Sequence, residues 1–568
     1  MFIDTRTVNQ GTTVQTTVCI IGGGMAGMTI ALELDKHGIE TCVLESGGMS
    51  PDDRTRDLYR GENVGLPYSF ADGCRSRFLG GSSNCWGGWC RPWEPWEFEK
   101  RDWIPHSGWP FGYDEINRYL QRVHEVLQLG PLNYDPAFWE AAVNKATVRR
   151  IPFTSGQIRD VLCQFSPPTR FGKVYGATLE RSHHVTTYLH ANVVDLETDA
   201  TARNVTSVHV RTLTGRTMKV SSRFVILATG GIENARLLLA SNKVQKAGLG
   251  NSHDVVGRFF MDHPRMYSGN VTLKAPWTRN MLYDAKFHHR NPSVAANGTR
   301  IAAQFVLAPE IVKREQLLGC AVWFSSVFPG EDTEAMRALV RFKQTLVGKV
   351  QFNRDLRRDL LTLITNPLDT IGFSFTYLFQ LQSFVRGVRL QAIIEPDPNS
   401  NSRVTLSDEK DELGMNRVRV SWKLGSVVQR TFDRTLAIVA DELKRDGVAD
   451  ITLDPAHEGR PWPANLEGTW HHMGTTRMHD SPQYGVVDRQ CRVHSVNNLY
   501  IAGSSVFPTG GTNHPSMTLV ALALRLSDHI VNELQRDARV ETRKIPIDSR
   551  ASEIPPVPAV ADTDRAPV

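Results

Sequence analysis

The sequence predicts an α/β protein whose first domain is interrupted by a second, and three stretches carry that prediction. Near the N-terminus a short apolar run, Val18 to Ile21, enters a glycine turn and then a helical pattern. The run "RFVILATGGIENARLLLAS", from Phe224 to Ser241, repeats strand, glycine turn and helix. A third such unit comes late, "NNLYIAGSSVFPTG" followed by "HPSMTLVALALRLSDHIVNEL" with its helix starting close to Pro515. Units of this kind build sheets covered by helices, so chain from both ends of the sequence must return to one sheet.

The first unit is the most specific. Gly22, Gly23, Gly24, Met25, Ala26 and Gly27 lie between the strand and a helix read from Met28 to Lys36. Gly22 permits the turn, Gly24 lets a pyrophosphate approach the backbone, and Gly27 lets helix and strand pack closely, so that phosphates meet the positive end of the helix. A second strand, Thr41 to Leu44, ends in Glu45, where a carboxylate can accept both hydroxyls of an adenosine ribose. Strand, helix and acid in register predict a dinucleotide site of the Rossmann type.

From Gly47 to about Gly112 the chain is rich in glycine, tryptophan and proline, and its centre, "FLGGSSNCWGGWCRPW" from Phe78 to Trp93, suits backbone laid against a ligand. Trp86, Trp89, Trp93, Trp96, Trp103 and Trp109 crowd this part; aromatic faces stack on sugar rings, although core packing is the expected use for most of them. Helical periodicity runs from Tyr113 to Leu129, and alternation in "VTTYLHANVVDLETD" marks a strand near Val193. Residues from about 266 to 465 differ in pattern: strands at Val404 to Leu406 and Val418 to Trp422, then an amphipathic helix from Val428 to Arg445. Between residues 337 and 390 nine Lys or Arg face three Asp or Glu among large apolar residues. That segment reads as a solvated helical face or a lid over a substrate site, with peripheral membrane contact as the minority reading. The resulting division assigns 1–125, 180–265 and 485–543 to the dinucleotide domain, and 126–179 and 266–484 to an α+β substrate domain. Residues 544–568, rich in proline and small side chains, read as a disordered tail.

Composition excludes several classes. A net charge of +5 on 568 residues, without an arginine-rich arm or an RNA-binding aromatic signature, argues against nucleic acid. The eight cysteines, Cys19, Cys42, Cys74, Cys85, Cys90, Cys163, Cys320 and Cys491, show no metal or redox-pair spacing, so no metal is expected. Their scatter through apolar runs, with no leader-like start and no apolar run long enough to span a bilayer, predicts a cytoplasmic protein.

Several blocks together resemble the glucose-methanol-choline (GMC) oxidoreductases: the Gly22 to Gly27 fingerprint with Glu45, "GGSSNCWGG", "ATGGIENARLLL", "PNSNSRVTLS", "HHMGTTRM" and "HPSMTLVALALRLSDHI". Within the family, "HHMGTTRM" and "FPTGGTNHPSMT" are most similar to the branch of pyranose oxidases and of dehydrogenases acting on aminoglycoside sugars. The resemblance implies a Rossmann-like FAD-binding domain with a discontinuous substrate domain, and oxidation of an alcohol to a carbonyl with hydride passing to flavin. It places Gly81, Ser82, Asn84, Cys85, Val193, Thr229, Gly230, Gly503, Ser504, Pro515, Ser516 and Met517 beside FAD with the fingerprint residues. In the family the first His of H-x-x-G-T serves as base, which is His471 here, with His472 as its neighbour and rival. The second catalytic position, just ahead of the flavin-covering helix, falls on His514, where the pyranose oxidase branch has Asn; Asn513 is out of register for the role. Cys85 stands where some relatives carry a His bonded to flavin, so FAD is expected to be non-covalent.

A neutral imidazole suits proton removal from an alcohol, because its ordinary pKa lies near neutrality, and a second group on the same hydroxyl sets the geometry. The helix starting near Pro515 aims N–H groups and its positive end at the flavin edge where negative charge gathers on reduction. The expected substrate is a sugar, glycoside or cyclitol, with oxygen or a quinone-like carrier reoxidising the flavin. The alternatives are an apolar alcohol entering past segment 337–390, or a non-oxidative flavin lyase or decarboxylase.

Overall fold

A computed structural model describes residues 1–70, 74–287, 292–329, 331, 333–346, 356–379, 383, 385–512 and 514–544. Contacts divide the chain into a unit Met1–Ser527 and a C-terminal unit from Asp528 to Val568; the helix Ser516–Lys544 supplies the described part of the latter. The expected tail lies, beyond Lys544, outside the described residues.

Two eight-stranded sheets organise the first unit. In one, the order is Phe2–Asp4, Val185–Leu189, Thr41–Leu44, Thr12–Ile21, Thr217–Leu227, Val205–Arg211 and Asn192–Thr198, with Leu499–Ile501 also paired to Thr217–Leu227. The pairings on the fingerprint side are parallel and finish level: Ile21 opposite Leu44, Leu227 opposite Ile21, and Ile501 opposite Leu227. Gly22, Glu45, Thr229 and Gly503 therefore follow at one edge. The carboxyl edge of an open α/β sheet is where ligands bind, because strand ends and helix starts leave a crevice there. The helix Met25–Lys36 starts three residues earlier than its periodicity suggests, because Gly24 supplies the extended N-cap. The expected helix over Tyr113–Leu129 is two pieces, Asp114–Asn117 and Leu120–Leu127, joined by a tightened turn in which Tyr119 N–H donates to Ile116 O at 2.9 Å.

The second sheet is antiparallel, ordered Glu467–Gly468, Pro264–Ser268, Gly387–Ile394, Cys320–Val327, Thr299–Leu307, Ile158–Phe165 and Trp89–Cys90, with Ala295–Ala296 on Thr299–Leu307. Its side chains alternate, as a pleat requires. Met266, Val322, Phe324, Leu390, Ala392 and Ile394 join the main core, which Val428, Phe432, Leu436, Val439 and Leu443 of the helix Ser426–Arg445 complete from one stripe. Tyr267, Trp323, Gln391 and Ile393, one position out of phase, face a cavity on the other side. The basic segment forms helices Glu334–Leu346, Leu356–Thr365 and Pro367–Phe379. No helix among the described residues is long and apolar enough to cross a membrane.

Candidate active site

A cavity of about 630 Å³ runs from the carboxyl edge of the first sheet to the exposed face of the second, within the roughly 300–1,000 Å³ of ligand clefts. At its first end the glycine turn is built as the sequence requires. Gly22 has φ +108° and a Cβ there would strike Ala228 O at 2.6 Å, while a Cβ on Gly27 would meet Gly22 O at 2.0 Å. Gly27 thus serves helix–strand packing and does not itself line the cavity. Glu45 is buried, and its two oxygens accept the N–H groups of Gly23 at 2.9 Å and Gly47 at 2.8 Å. Each oxygen keeps a lone pair for a further donor. The N-terminus of Met25–Lys36 has no side-chain cap, so its N–H groups are left for an anion. This cradle fits an adenosine diphosphate group, and hence FAD.

Gly22, Gly24, Met25, Ala26, Glu45, Gly81, Ser82, Cys85, Val193, Thr229, Gly230, Gly503, Ser504, Pro515 and Ser516 all line the cavity, as do His471, His472 and His514. Asn84 and Met517 do not. The Asn84 amide is spent on its own loop, donating to Leu79 O and Gly81 O, and Met517 is buried with its sulfur taking the Tyr134 hydroxyl at 3.3 Å. Of the six tryptophans, Trp86 and Trp89 reach the cavity, whereas Trp93 and Trp109 pack with Phe98 and Phe507. Asn513 lies outside the described residues.

The loop bearing His471 is held from two sides. Met261 and Met473 exchange backbone hydrogen bonds at 3.0 Å, Ser504 Oγ donates to His472 O at 2.7 Å, and Met478 N–H donates to Val506 O at 2.7 Å. Buried Asp262 ties the loop down. One of its oxygens accepts His471 N–H at 2.7 Å and Thr469 Oγ1 at 3.1 Å, the other Trp470 N–H at 2.8 Å and the Tyr68 hydroxyl at 2.5 Å. These bonds hold Trp470 at φ +62°, a conformation unfavourable for a bulky side chain. Asp262, His263 and His471 bring three ligand-type atoms within 4.8 Å of one another, but with the four acceptor positions of Asp262 filled they form a hydrogen-bonded network.

That network sets the His471 tautomer. Burial lowers the pKa of His263 to about 4, so its ring is neutral. Its Nε2 lies 2.9 Å from Gly511 O, and since a carbonyl only accepts, Nε2 carries the proton and Nδ1 is bare. His471 Nδ1 is 3.1 Å from that bare nitrogen and 3.0 Å from Thr469 Oγ1, so His471 donates from Nδ1. Its Nε2 is left with a lone pair and with no hydrogen-bond partner among the described residues. His472, whose buried Nε2 is also without a partner among the described residues, packs among Tyr68 and Phe260 and has no such relay. His514, at φ +50°, stacks on Trp89 with ring centroids 5.2 Å apart, and its buried Nε2 has no partner among the described residues. An orphaned polar atom this deep in a cavity wall implies a ligand that satisfies it.

Burial first, and the neighbouring His263 second, push the His471 pKa well below the ordinary imidazole range; burial and His471 do the same to His514. Depressed values leave both rings neutral, and able to accept a proton, below the unperturbed value of about 6.5. If His471 takes the substrate proton, the acid limb of the rate of flavin reduction is expected below the ordinary imidazole value of about 6.5 in a stopped-flow pH series. A limb centred at pH 7 or above contradicts the arrangement.

Sequence reasoning missed Asp262 and His263, and the wall of Tyr267, Trp323 and Gln391. The signal for the pair was a charged residue and a histidine inside the apolar run "FFMDHPRM", a place where ionisable groups require partners.

Two family models match the chain, "GMC oxidoreductase" over residues 398–523 and "FAD dependent oxidoreductase" over residues 17–246. The chain is 23% identical to the fructose dehydrogenase large subunit of Gluconobacter japonicus, over 92% of this chain and 99% of that one. It is 29% identical to paromamine 6'-oxidase of Streptomyces fradiae over 27% of each. Among solved structures, a formate oxidase of Aspergillus oryzae superposes with a TM-score of 0.54 at 17% identity, covering 93% of this chain and all of that one.

Proposed function

We propose, for a chain that belongs to the GMC family of FAD-dependent oxidoreductases, that it oxidises a hydroxyl of an uncharged sugar, glycoside or cyclitol to a carbonyl. The observation that carries this reading is the relay from Gly511 through His263 to His471, which leaves a proton-accepting Nε2 in the cavity wall. In this reading His471 Nε2 takes the hydroxyl proton, and His514 Nε2 hydrogen-bonds the same oxygen and orients the carbon. Bound FAD supplies the hydride acceptor. Glu45 holds the ribose, the helix Met25–Lys36 the pyrophosphate, and the start of Ser516–Lys544 the flavin edge. Residues 1–125, 180–265 and 485–543 form the FAD-binding domain, and 126–179 and 266–484 the substrate domain. The Cys85 thiol sits against the carbonyls of Cys74 and Ser82, at 3.2 and 3.3 Å, which supports non-covalent FAD.

The substrate wall favours a polyol. Trp323 Nε1 donates to Gln391 Oε1 at 3.0 Å and Gln391 Nε2 to the Tyr267 hydroxyl at 3.2 Å, a polar chain beside the indole faces of Trp89 and Trp323. The cations near it are paired, Arg265 with Glu467 and Lys286 with Glu331, so this end presents little net charge. No described residue between 337 and 390 lines the cavity, so that segment gives no support to an apolar entrance.

Anaerobic mixing with sugars, aminoglycosides, cyclitols and apolar alcohols tests the proposal by bleaching of oxidised flavin. Bleaching by neutral sugar-like compounds is the expected result, and admission of air then separates oxygen from a quinone-like carrier as acceptor. Bleaching by apolar alcohols alone overturns it.

A further inference from the structure

Away from the cavity, the helix Leu356–Thr365 and the start of the helix after it turn large apolar residues to solvent. In the helix Leu356–Thr365 the buried residue is Asp359, 1% exposed and paired at 2.6 Å with Arg341 of the helix Glu334–Leu346. Three of its apolar residues point the other way, while Leu356 and Leu363 are half-buried. Leu360, Leu361 and Ile364, with Leu368 and Ile371 of the next helix Pro367–Phe379, are between 39% and 86% exposed. Fourteen large apolar side chains are exposed among the described residues, and these five fall within twelve positions. A surface helix ordinarily buries its apolar stripe and shows its charges. A contiguous reversal marks a surface that is covered by something else.

The charges say by what. Of the cations between residues 337 and 390, Arg337 and Arg341 pair with Glu334 and Asp359, whereas Arg357 and Arg358 carry the positive charge beside the outward leucines, against one exposed acid among the described residues, Asp369. Arg357 and Arg358 are exposed and precede Leu360 and Leu361 by less than a turn. Cations beside outward leucines match the two layers of a bilayer surface, anionic headgroups above an acyl boundary. A second copy of the same face would meet like charge with like charge.

We propose that the helix pair Leu356–Thr365 and Pro367–Phe379 docks the protein peripherally on membranes that carry anionic lipid. The leucines and isoleucines enter the interface, and Arg357 and Arg358 stay with the headgroups. None of the described helices spans the bilayer in this arrangement. The inference is independent of the reaction, and it reverses the expectation that the segment is a solvated face or a lid.

The test is co-sedimentation of the full-length, FAD-loaded protein with phosphatidylcholine vesicles, with and without phosphatidylglycerol, at low and high salt. Binding is expected on the phosphatidylglycerol vesicles at low salt, with release at high salt. The triple substitution Leu361→Ser, Ile364→Ser, Leu368→Ser should lower the bound fraction by about tenfold or more. Flavin absorbance and activity on a soluble substrate should stay as in the wild type, since none of these residues lines the cavity. The charge reversals Arg357→Glu and Arg358→Glu, which leave the leucines in place, should abolish the preference for anionic vesicles. Wild-type protein that stays in the supernatant with anionic vesicles at low salt overturns the proposal, as does a triple variant that binds like the wild type. Gel filtration in which the triple variant changes only the oligomeric state, with no vesicle binding by either protein, assigns the face to a second copy and also overturns it.

Discussion

Replacing His471 with Ala is expected to lower the rate of flavin reduction by on the order of 10²–10⁴ while FAD stays bound, the range for loss of a general base. FAD should remain because the cradle at Gly22 to Gly27 and Glu45 is built by strands and turns that the His471 side chain does not touch. The loop should also hold, because Asp262 binds the backbone N–H of residue 471 and not its ring. The readout is anaerobic single-turnover reduction, with the flavin spectrum as the check on folding. A fall of less than tenfold with full FAD occupancy removes His471 from the role of base. His472→Ala is the matched control; packed among Tyr68 and Phe260 and without the relay, it should affect stability more than the chemical step.

Replacing His263 with Leu is expected to slow flavin reduction by on the order of 10², although His263 is not placed against the substrate. The effect is tautomeric. With His263 Nδ1 gone, His471 keeps only Thr469 Oγ1 as acceptor for its Nδ1 proton, and the share of imidazole in the other tautomer, which offers an N–H where the reaction needs a lone pair, rises. The loss should fall on kcat more than on KM, because the wall that meets the substrate is unchanged. His263→Asn, whose amide retains both a donor and an acceptor, should recover part of the rate. A role in packing alone predicts the opposite order: Leu would be tolerated at this fully buried site and Asn would not.

Much of the site was legible in the sequence because it rests on local chemistry. A strand entering a glycine turn, followed by a helix and then by an acid at the end of the next strand, is fixed by backbone conformation and period, and these are written in consecutive residues. Gly22, Gly24 and Glu45 therefore stand at the cavity edge as expected. His471 and His514 were found by their motifs. Asn84 and Met517 show where that reasoning fails, since their sequence neighbours line the cavity while their own side chains turn to Leu79, Gly81 and Tyr134.

The α/β class and the glycine turn of the dinucleotide cradle were readable from short runs of consecutive residues, and His471 and His514 stood out because their surroundings resemble family motifs. Only the tertiary structure decided which nitrogen of His471 is free. That depends on His263, 208 residues before it, on Gly511, which comes after it in the chain, and on burial that keeps the His263 ring neutral. It alone decided the substrate wall, where strand alternation picks Tyr267, Trp323 and Gln391 out of three separate strands. It also decided the orientation of the helix Leu356–Thr365, where the pairing of Asp359 with Arg341 turns the leucines outward. Periodicity names the faces of a helix, but which face is buried depends on what the rest of the chain offers it.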